Sequence, residues 1–146
     1  MSSMTLVRRI AARPSIVFEA VSTADGMASW FGPDDGPVLI SEIDPRVGGR
    51  FRVRFRRLNG DEHEVHGEIL ELAPPRRLVM SWCWQGDEDG PGESRLEIEL
   101  RPITDGATEL TLTHADLKDQ ASADGHAGGW SGALDKLERR FAERLH

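Results

Sequence analysis

A histidine in the second half of the chain lies where its imidazole could exchange protons inside an apolar interior. His114 follows Leu110 and Leu112 at every second position, and such alternation points these side chains to one face of a strand. If the strand continues, Asp116 lies on the same face, where its carboxylate could orient the imidazole. These two are the candidate catalytic residues, acting as general acid or base near neutral pH. The alternative is a histidine held at a strand end by structural hydrogen bonds.

Aromatic residues are the second group that could take part in function, by contacting a ligand. The chain has four tryptophans and five phenylalanines but no tyrosine. Four buried tryptophans would remove roughly 600 to 1,000 Å² from water, so core packing is their first role. Some of them could also line a cavity for an apolar or aromatic ligand, to which the flexible side chain of Met80 would adapt. The candidate ligand-contacting residues are Trp30, Phe51, Met80, Trp82, His114, Trp130 and Leu134.

The sequence predicts neither a metal site nor a cofactor. Its five histidines show neither the His-x-x-x-His nor the Glu-x-x-His spacing of helical metal ligands. Cys83 is the single cysteine, which excludes an internal disulfide. The acidic run at residues 87–89 lacks the spaced oxygens of a calcium loop. Neither Ser122 nor Ser131 lies in a nucleophile-elbow motif, so hydrolysis by a serine triad is not expected.

Length, composition and charge narrow the class of protein. The chain has 146 residues, of which 38% are hydrophobic and 29% charged, a composition typical of one globular domain, here spanning residues 1–146. Its formal net charge of -7 argues against a nucleic-acid partner, which requires a basic surface. No apolar run approaches the roughly 20 residues of a membrane-spanning helix, and residues 1–10 lack a signal-peptide core. We therefore expect a cytoplasmic protein without a membrane segment.

The elements that must position these residues follow from hydrophobic periodicity. Residues 6–11 predict a strand, Pro14 predicts the first turn of a helix, and Thr23 is a candidate cap for a second short helix. From residue 38 to residue 114, apolar residues recur at every second position, which is typical of half-buried strands. We expect an antiparallel sheet of about six or seven strands.

The last part of the chain predicts a long helix. Beyond Gly129, apolar residues recur at steps of four, three, four and four, the spacing of one helix face over about five turns. They are Trp130, Leu134, Leu137, Phe141 and Leu145. The largest apolar surface available to this face is the inner side of the sheet. The fold class is therefore α+β, with a curved antiparallel sheet wrapped around the C-terminal helix.

One hairpin allows a prediction of strand register. In residues 50–56, arginines alternate with apolar residues, so one face is basic and the other apolar. A three-residue loop at residues 59–61 would pair Phe55 with Val65 and keep apolar residues opposite one another. It would also place the arginines beside glutamates of the next strand, on a solvated outer face. His63 would then lie in or near the turn.

The order of these elements resembles that of the START-like, or helix-grip, superfamily. Local motifs along nearly the whole chain narrow the resemblance to the stand-alone bacterial proteins related to the activator of the 90-kDa heat-shock-protein ATPase. These motifs are RIAARPSIVFEA at 9–20, Trp30 followed by Pro33, DPRVGG at 44–49, GEILELAPPRRL at 67–78, LTH at 112–114 and Gly129-Trp130. The resemblance implies two short helices after the first strand and a deep, largely apolar cavity between the sheet and the last helix. It does not imply one reaction, since related proteins include lipid binders, carriers, cyclases and chaperone regulators.

Three hypotheses about function follow. The first is that the protein binds a small hydrophobic or aromatic ligand in this cavity, with no reaction assigned. The second is a cyclase-like or hydrolase-like enzyme in which His114 acts as general acid or base and Asp116 orients it. The third is an interaction module that contacts a chaperone or another protein through the charged sheet face or the loops. An exposed edge strand or the flank of the last helix could also form a homodimer.

Overall fold

Ten helices and strands follow one another in the computed structural model, which describes residues 2–86, 93–104 and 106–142. In chain order they are β1 Ser2–Ile10, α1 Pro14–Ser22, α2 Ala24–Ala28, β2 Val38–Ile43, β3 Arg50–Arg56, β4 Glu62–Ala73, β5 Arg77–Trp84, β6 Glu93–Thr104, β7 Ala107–Leu117 and α3 Gln120–Ala142. The strands form one antiparallel sheet in the order β1-β7-β6-β5-β4-β3-β2. The predicted α+β helix-grip fold is confirmed. The acidic run at 87–89 and Leu145 lie outside the described residues.

The sheet has one apolar face because its strands alternate as the sequence predicts. In β3, Phe51, Val53 and Phe55 are at most 5% exposed, whereas the arginines between them are on the opposite face. The buried face of α3, with Trp130 and Leu134, belongs to the same core cluster as these strand residues. The prediction that the last helix packs on the inner face of the sheet is therefore confirmed.

The β3–β4 hairpin keeps the predicted faces but pairs different residues. Val53 lies opposite Val65, and Phe55 lies opposite His63 instead of Val65. Because side chains alternate with a period of two, this shift of two residues leaves every side chain on its predicted face. The predicted register and the predicted place of His63 are nevertheless wrong: His63 belongs to β4 and faces inward, as Val65 does.

Two local features explain the observed register. The hairpin connection is longer than predicted, since it runs from Arg57 to Asp61, and the Arg57 amide donates to the Asp61 carbonyl oxygen at 2.7 Å. Gly67 lies opposite Phe51, and a Cβ at Gly67 would lie 2.0 Å from the Ser81 carbonyl oxygen and 2.7 Å from Phe51 Cε1. A glycine is required where the aromatic ring and the neighbouring strand approach so closely.

The arginines on the outer face of β3 are paired with glutamates across the hairpin, as predicted. Arg54 and Arg56 each donate from Nε to the Glu62 carboxylate, at 2.9 and 3.1 Å, and Arg52 Nε lies 3.5 Å from Glu64 Oε1. The hydrogen bonds from Arg54 and Arg56 lower the pKa of Glu62. Exposed pairs of this kind add little to stability, but they neutralise much of the positive charge on this face.

Helix α3 begins at Gln120, well before the predicted start beyond Gly129. Asp119 precedes the helix, and its carboxylate accepts a hydrogen bond from the Ser122 amide at 2.8 Å, as an N-cap residue does. The periodicity of large apolar residues misses this first part because glycines and small polar residues occupy it. Glycines are unfavourable inside helices, which argues against a helix there unless packing or function requires them.

Two contacts hold the segment after α2 against α3. A Cβ at Gly132 would lie 2.0 Å from the Pro33 carbonyl oxygen, so the helix backbone and this segment nearly touch. Lys136 Nζ donates to the carbonyl oxygens of Phe31 and Asp34 at 2.8 and 2.7 Å. Burial lowers the pKa of the Lys136 ammonium, although nearby carboxylates oppose this effect. Phe31 and Pro33 are thereby fixed beside α3.

Arg8 joins β1 to α3 through a partly buried guanidinium. It donates to Asp135 at 2.7 Å, to Glu138 at 2.8 Å and to Ser131 Oγ at 2.9 Å. We expect Arg8→Met to lower the free energy of unfolding by about 1 to 2 kcal/mol, because charged hydrogen bonds are lost at a site partly screened by water. Arg9→Met, at an exposed position of the same strand, should change it by less than about 0.5 kcal/mol. Urea denaturation measures both values, and equal effects would contradict the prediction.

None of the helices in the described part of the chain is long and apolar enough to cross a lipid bilayer. That residues 1–146 fold as one domain stays a prediction.

Candidate functional site

A cavity of about 580 Å³ lies between the sheet and the first half of α3. Its volume is within the range of pockets that hold small molecules. The ends of β3 and β5, the start of β4, the segment after α2 and the small residues of α3 contribute to its wall. The site is therefore built where strand ends meet the N-terminal half of the helix.

Four aromatic side chains form the apolar part of the wall: Phe31, Phe55, Trp84 and Trp130. The ring centroid of Phe31 lies 5.5 Å from that of Phe55 and 5.6 Å from that of Trp130. The Phe55 and Trp84 centroids are 6.1 Å apart. All three pairs have the edge-to-face geometry that aromatic rings favour. The rings therefore hold one another in place and present a continuous apolar surface to the cavity.

The indole N–H groups of the two wall tryptophans are both used within the protein. Trp84 Nε1 donates to His126 Nε2 at 3.0 Å, and His126 Nδ1 donates to the Ser122 carbonyl oxygen at 2.8 Å. Trp130 Nε1 donates to His114 Nδ1 at 3.0 Å. Each indole is thus oriented by a histidine. What the indoles offer to a ligand is their ring surface rather than a hydrogen-bond donor.

His114 is fully buried and both of its ring nitrogens are hydrogen-bonded. Because Nδ1 accepts from Trp130, the proton of the neutral ring is on Nε2, which donates to Ser94 Oγ at 2.7 Å. Ser94 Oγ in turn donates to the Trp82 carbonyl oxygen at 3.2 Å. Burial, together with the neighbouring His126, lowers the pKa of His114 to about 3. At neutral pH the imidazole is therefore neutral, and its contacts assign it to the positioning of Trp130.

Asp116 does not share the inner face with His114, so the predicted pair is wrong. Met4 lies opposite His114, but Ser2 lies opposite Leu117, so β7 has one residue more than β1 over this interval. The extra residue forms a β-bulge in which Asp116 adopts a left-handed φ of 62°. This turns the Asp116 side chain into solvent. Its carboxylate cannot orient the buried imidazole.

The seven candidate ligand-contacting residues are neighbours, but of these Trp130 alone lines the described cavity. Trp82 lies at their centre, with its ring centroid 5.2 Å from that of Trp130, 5.4 Å from that of Phe51 and 5.8 Å from that of His114. The six that do not line the cavity are Trp30, Phe51, Met80, Trp82, His114 and Leu134, each at most 2% exposed. Aromatic rings and aliphatic side chains fill the interior around Trp82. The space for a ligand is at the strand ends instead.

Arg57 and His63 are polar wall residues that the sequence did not reveal. Arg57 Nε lies 4.0 Å from Asp34 Oδ2, and the Asp34 carboxylate accepts hydrogen bonds from the Gly36 and Leu58 amides at 2.9 and 3.1 Å. Partial desolvation raises the pKa of Asp34, but these amides and the nearby cations outweigh it, so the pKa is lowered overall. Asp34 is therefore an anion held by the backbone.

No group of three or more histidine, cysteine, aspartate or glutamate side chains within residues 2–86, 93–104 and 106–142 could hold a metal ion. The cavity histidines, His63 and His126, lie against the aromatic rings of Phe55 and Trp84. Both ring nitrogens of His126 are hydrogen-bonded within the protein. The chemistry available at the described wall is thus apolar contact, together with the polar groups of Arg57 and His63.

A comparison with protein-family models identifies the family of this chain. The model of activator of Hsp90 ATPase homolog 1-like proteins, abbreviated AHSA1, matches residues 11–142. The chain belongs to the AHSA1 family. The resemblance found in the sequence motifs is thereby confirmed. A search of curated proteins found no match for the chain.

Solved structures agree with this AHSA1 assignment. The AHSA1 protein of Silicibacter pomeroyi is 26% identical, with a TM-score of 0.85, over 98% of this chain and 99% of that protein. A protein of Chromobacterium violaceum is 25% identical, with a TM-score of 0.83, over 97% and 98% of the two chains. CalU16 of Micromonospora echinospora is 29% identical, with a TM-score of 0.70, over 98% of this chain and 78% of that one.

Two signals in the sequence of this AHSA1 protein could have located the cavity. Ser122, His126, Gly129 and Ala133 are spaced by four, three and four residues, which places them on one helix face, and all four line the cavity. Trp84 alternates with the other inward residues of β5 and ends that strand. A helix face on which three of the four residues are glycine, alanine or serine, opposite a strand that ends in tryptophan, predicts space between the two elements.

Proposed function

We propose that this AHSA1-family protein binds a small apolar or aromatic ligand in the cavity between the sheet and α3. The observation that carries the proposal is a space of about 580 Å³ whose wall includes Phe31, Phe55, Trp84 and Trp130. Four converging rings are a large apolar surface, and burying a ligand against it is favourable by about 25 cal/mol per Å² of apolar area. No reaction is assigned to the site.

The environment of His114 supports binding over acid-base catalysis by that residue. Both ring nitrogens are occupied by Trp130 and Ser94, and the low pKa of about 3 removes the proton exchange near pH 7 that a general base needs. A general base must also reach its substrate, whereas His114 does not line the cavity. The role that remains for it in ligand binding is to orient the Trp130 ring.

Other predictions from the sequence stay predictions. Contact with a chaperone or another protein, a homodimer and a cytoplasmic location belong to this group. The charged outer face of β3, proposed as a partner surface, has its Arg52, Arg54 and Arg56 side chains beside glutamates. Reversing the charge of Arg52 and Arg54 and measuring capture of a chaperone is the test of that contact.

Tryptophan emission and melting temperature test the proposed binding. In a panel of small aromatic and aliphatic compounds, we expect some to change the emission, because Trp84 and Trp130 are in the wall. A compound at a hundredfold excess over its Kd stabilises the folded protein by about 2.7 kcal/mol, which corresponds to a rise in Tm of roughly 5 to 10 °C for a chain of this size.

The control for this experiment fills the cavity without disturbing the core. Gly129→Leu adds a side chain on the wall, where a Cβ meets nothing closer than Pro33 Cβ at 3.9 Å, and should abolish the response. Val7→Leu adds bulk at a position that is 56% exposed on β1, and should leave the response unchanged. A panel that shifts neither emission nor Tm, or a response that survives Gly129→Leu, contradicts the proposed function.

A further inference from the structure

We propose that the cavity selects an aromatic anion, with its negative group at Arg57 and its rings against the aromatic wall. This inference rests on the proposed function and names the class of ligand. Three features of the wall lead to it: the positive charge of Arg57, the weak pairing of that residue, and the use of the indole N–H groups.

The first feature is the charge of the wall compared with that of the chain. The protein has 25 acidic residues against 18 lysines and arginines, so an average patch of its surface is negative. Among the described residues, the ionisable side chains of the wall are Arg57, His63 and His126, without a carboxylate. His126 Nε2 accepts a hydrogen bond from Trp84, so the described wall residue that carries a permanent positive charge is Arg57. A concave, apolar site that holds a cation concentrates anions. The cavity therefore favours an anion although the net charge of the chain is negative.

The second feature is how weakly Arg57 is paired. In the described part of the chain, the carboxylate found within 4.0 Å of its guanidinium is that of Asp34, at the 4.0 Å limit and without a hydrogen bond. By contrast, Arg54 and Arg56 donate to Glu62 at 2.9 and 3.1 Å. Asp34 is also held by the Leu58 amide at 3.1 Å. The planar guanidinium can therefore turn its donors to a ligand carboxylate, which it matches in geometry.

The third feature is the division of roles between the polar and aromatic groups. The N–H groups of Trp84 and Trp130 are occupied by His126 and His114 at 3.0 Å each. The indoles are then left with their π surfaces, which suit a flat aromatic body. Recognition of a negatively charged ligand group consequently falls to Arg57, the wall residue with a permanent positive charge. A ligand that satisfies both parts has an aromatic ring and a carboxylate or a similar anion.

Isothermal titration calorimetry with two matched probes tests this inference. Naphthoate and naphthamide share one ring system and differ in the charge of a single substituent. We expect wild-type protein to bind naphthoate about tenfold more tightly, the low end for a charged hydrogen bond at a half-exposed arginine. Arg57→Gln should remove this preference while naphthamide still binds. Arg56→Gln is the matched control, because Arg56 is the preceding residue on the outer face, and it should keep the preference.

The outcomes separate this inference from the proposed function. Equal affinity of the wild-type protein for naphthoate and naphthamide overturns the anion preference and leaves ligand binding intact. A preference for naphthoate that persists in Arg57→Gln also overturns the inference, because the charge is then recognised elsewhere. Binding of neither probe overturns the inference. The proposed function falls with it only if the wider panel of compounds also fails to bind.

Discussion

Gly132→Ala should lower the free energy of unfolding by about 2 to 3 kcal/mol, although alanine is the better helix former. The added Cβ would lie 2.0 Å from the carbonyl oxygen of Pro33 and 2.9 Å from its carbonyl carbon. Both are backbone atoms, so neither can turn away as a side chain would. Lys136 holds the same segment through the carbonyl oxygens of Phe31 and Asp34. Relief of the clash must therefore move a segment that is fixed at both sides of Pro33.

Gly129→Ala, three residues earlier in the same helix, is the matched control with the opposite sign. A Cβ there lies 3.9 Å from Pro33 Cβ, an ordinary contact. Alanine should then raise the free energy of unfolding by about 0.5 to 1 kcal/mol through its helix propensity. Urea denaturation of the two variants and the wild type gives both values. If Gly132→Ala is as stable as Gly129→Ala, the close approach of α3 to the segment after α2 is refuted.

These two glycines also show why the cavity is difficult to find from sequence. Both are glycines within α3, but Gly132 permits a backbone contact and Gly129 leaves space beside a wall. The difference depends on what lies opposite each residue, and periodicity carries no information about that. Periodicity of the large residues does predict the buried face of α3, because burial of side chains such as Leu137 and Phe141 requires that spacing.

The β3–β4 hairpin shows a similar division between what sequence predicts and what it misses. The alternation of apolar and charged residues determines the face of every side chain, and those faces are confirmed. Pairing across the hairpin depends on the length of the connection and on Gly67, where a Cβ would clash with the Ser81 carbonyl oxygen. A shift of two residues is invisible to an alternating pattern. It nevertheless moves His63 from a turn to the wall of the cavity.

The family resemblance predicts the fold in more detail than periodicity does, but it does not locate the ligand. Its motifs correctly imply two short helices and a helix gripped by the sheet. It also implies a cavity, and the sequence makes aromatic residues such as Trp82 candidates for its wall. In this chain Trp82 is completely buried among other rings. The place of the ligand cavity depends on how completely side chains fill each part of the space between the sheet and α3.

Replacement of His114 should flatten the dependence of stability on pH below neutrality. The pKa of His114 is about 3 in the folded protein, because burial disfavours the charged ring, and 6.5 is its ordinary value. Below pH 6.5 the unfolded chain therefore takes up a proton that the folded protein does not. Folding stability falls as the pH falls, by about 1.4 kcal/mol per pH unit, until the folded protein is itself protonated near pH 3. Lowering the pH from 7.5 to 5 should reduce the free energy of unfolding of the wild-type protein by about 2 kcal/mol through this one group.

His114→Gln and His114→Asn both remove the titrating ring while keeping a donor and an acceptor near Trp130 and Ser94. Each variant should be less stable than the wild type at pH 7.5, since neither amide reproduces both hydrogen bonds of the imidazole. The difference in free energy of unfolding between wild type and variant should be about 2 kcal/mol smaller at pH 5 than at pH 7.5. Only the wild type has the His114 ring, so only the wild type loses the stability that depends on its protonation. Carboxylates and the histidines that do not contact His114 are present in all three proteins, so their contributions cancel in the comparison. Urea denaturation at the two pH values measures the change; parallel pH profiles would show that the ring is already charged, or solvated, in the folded protein.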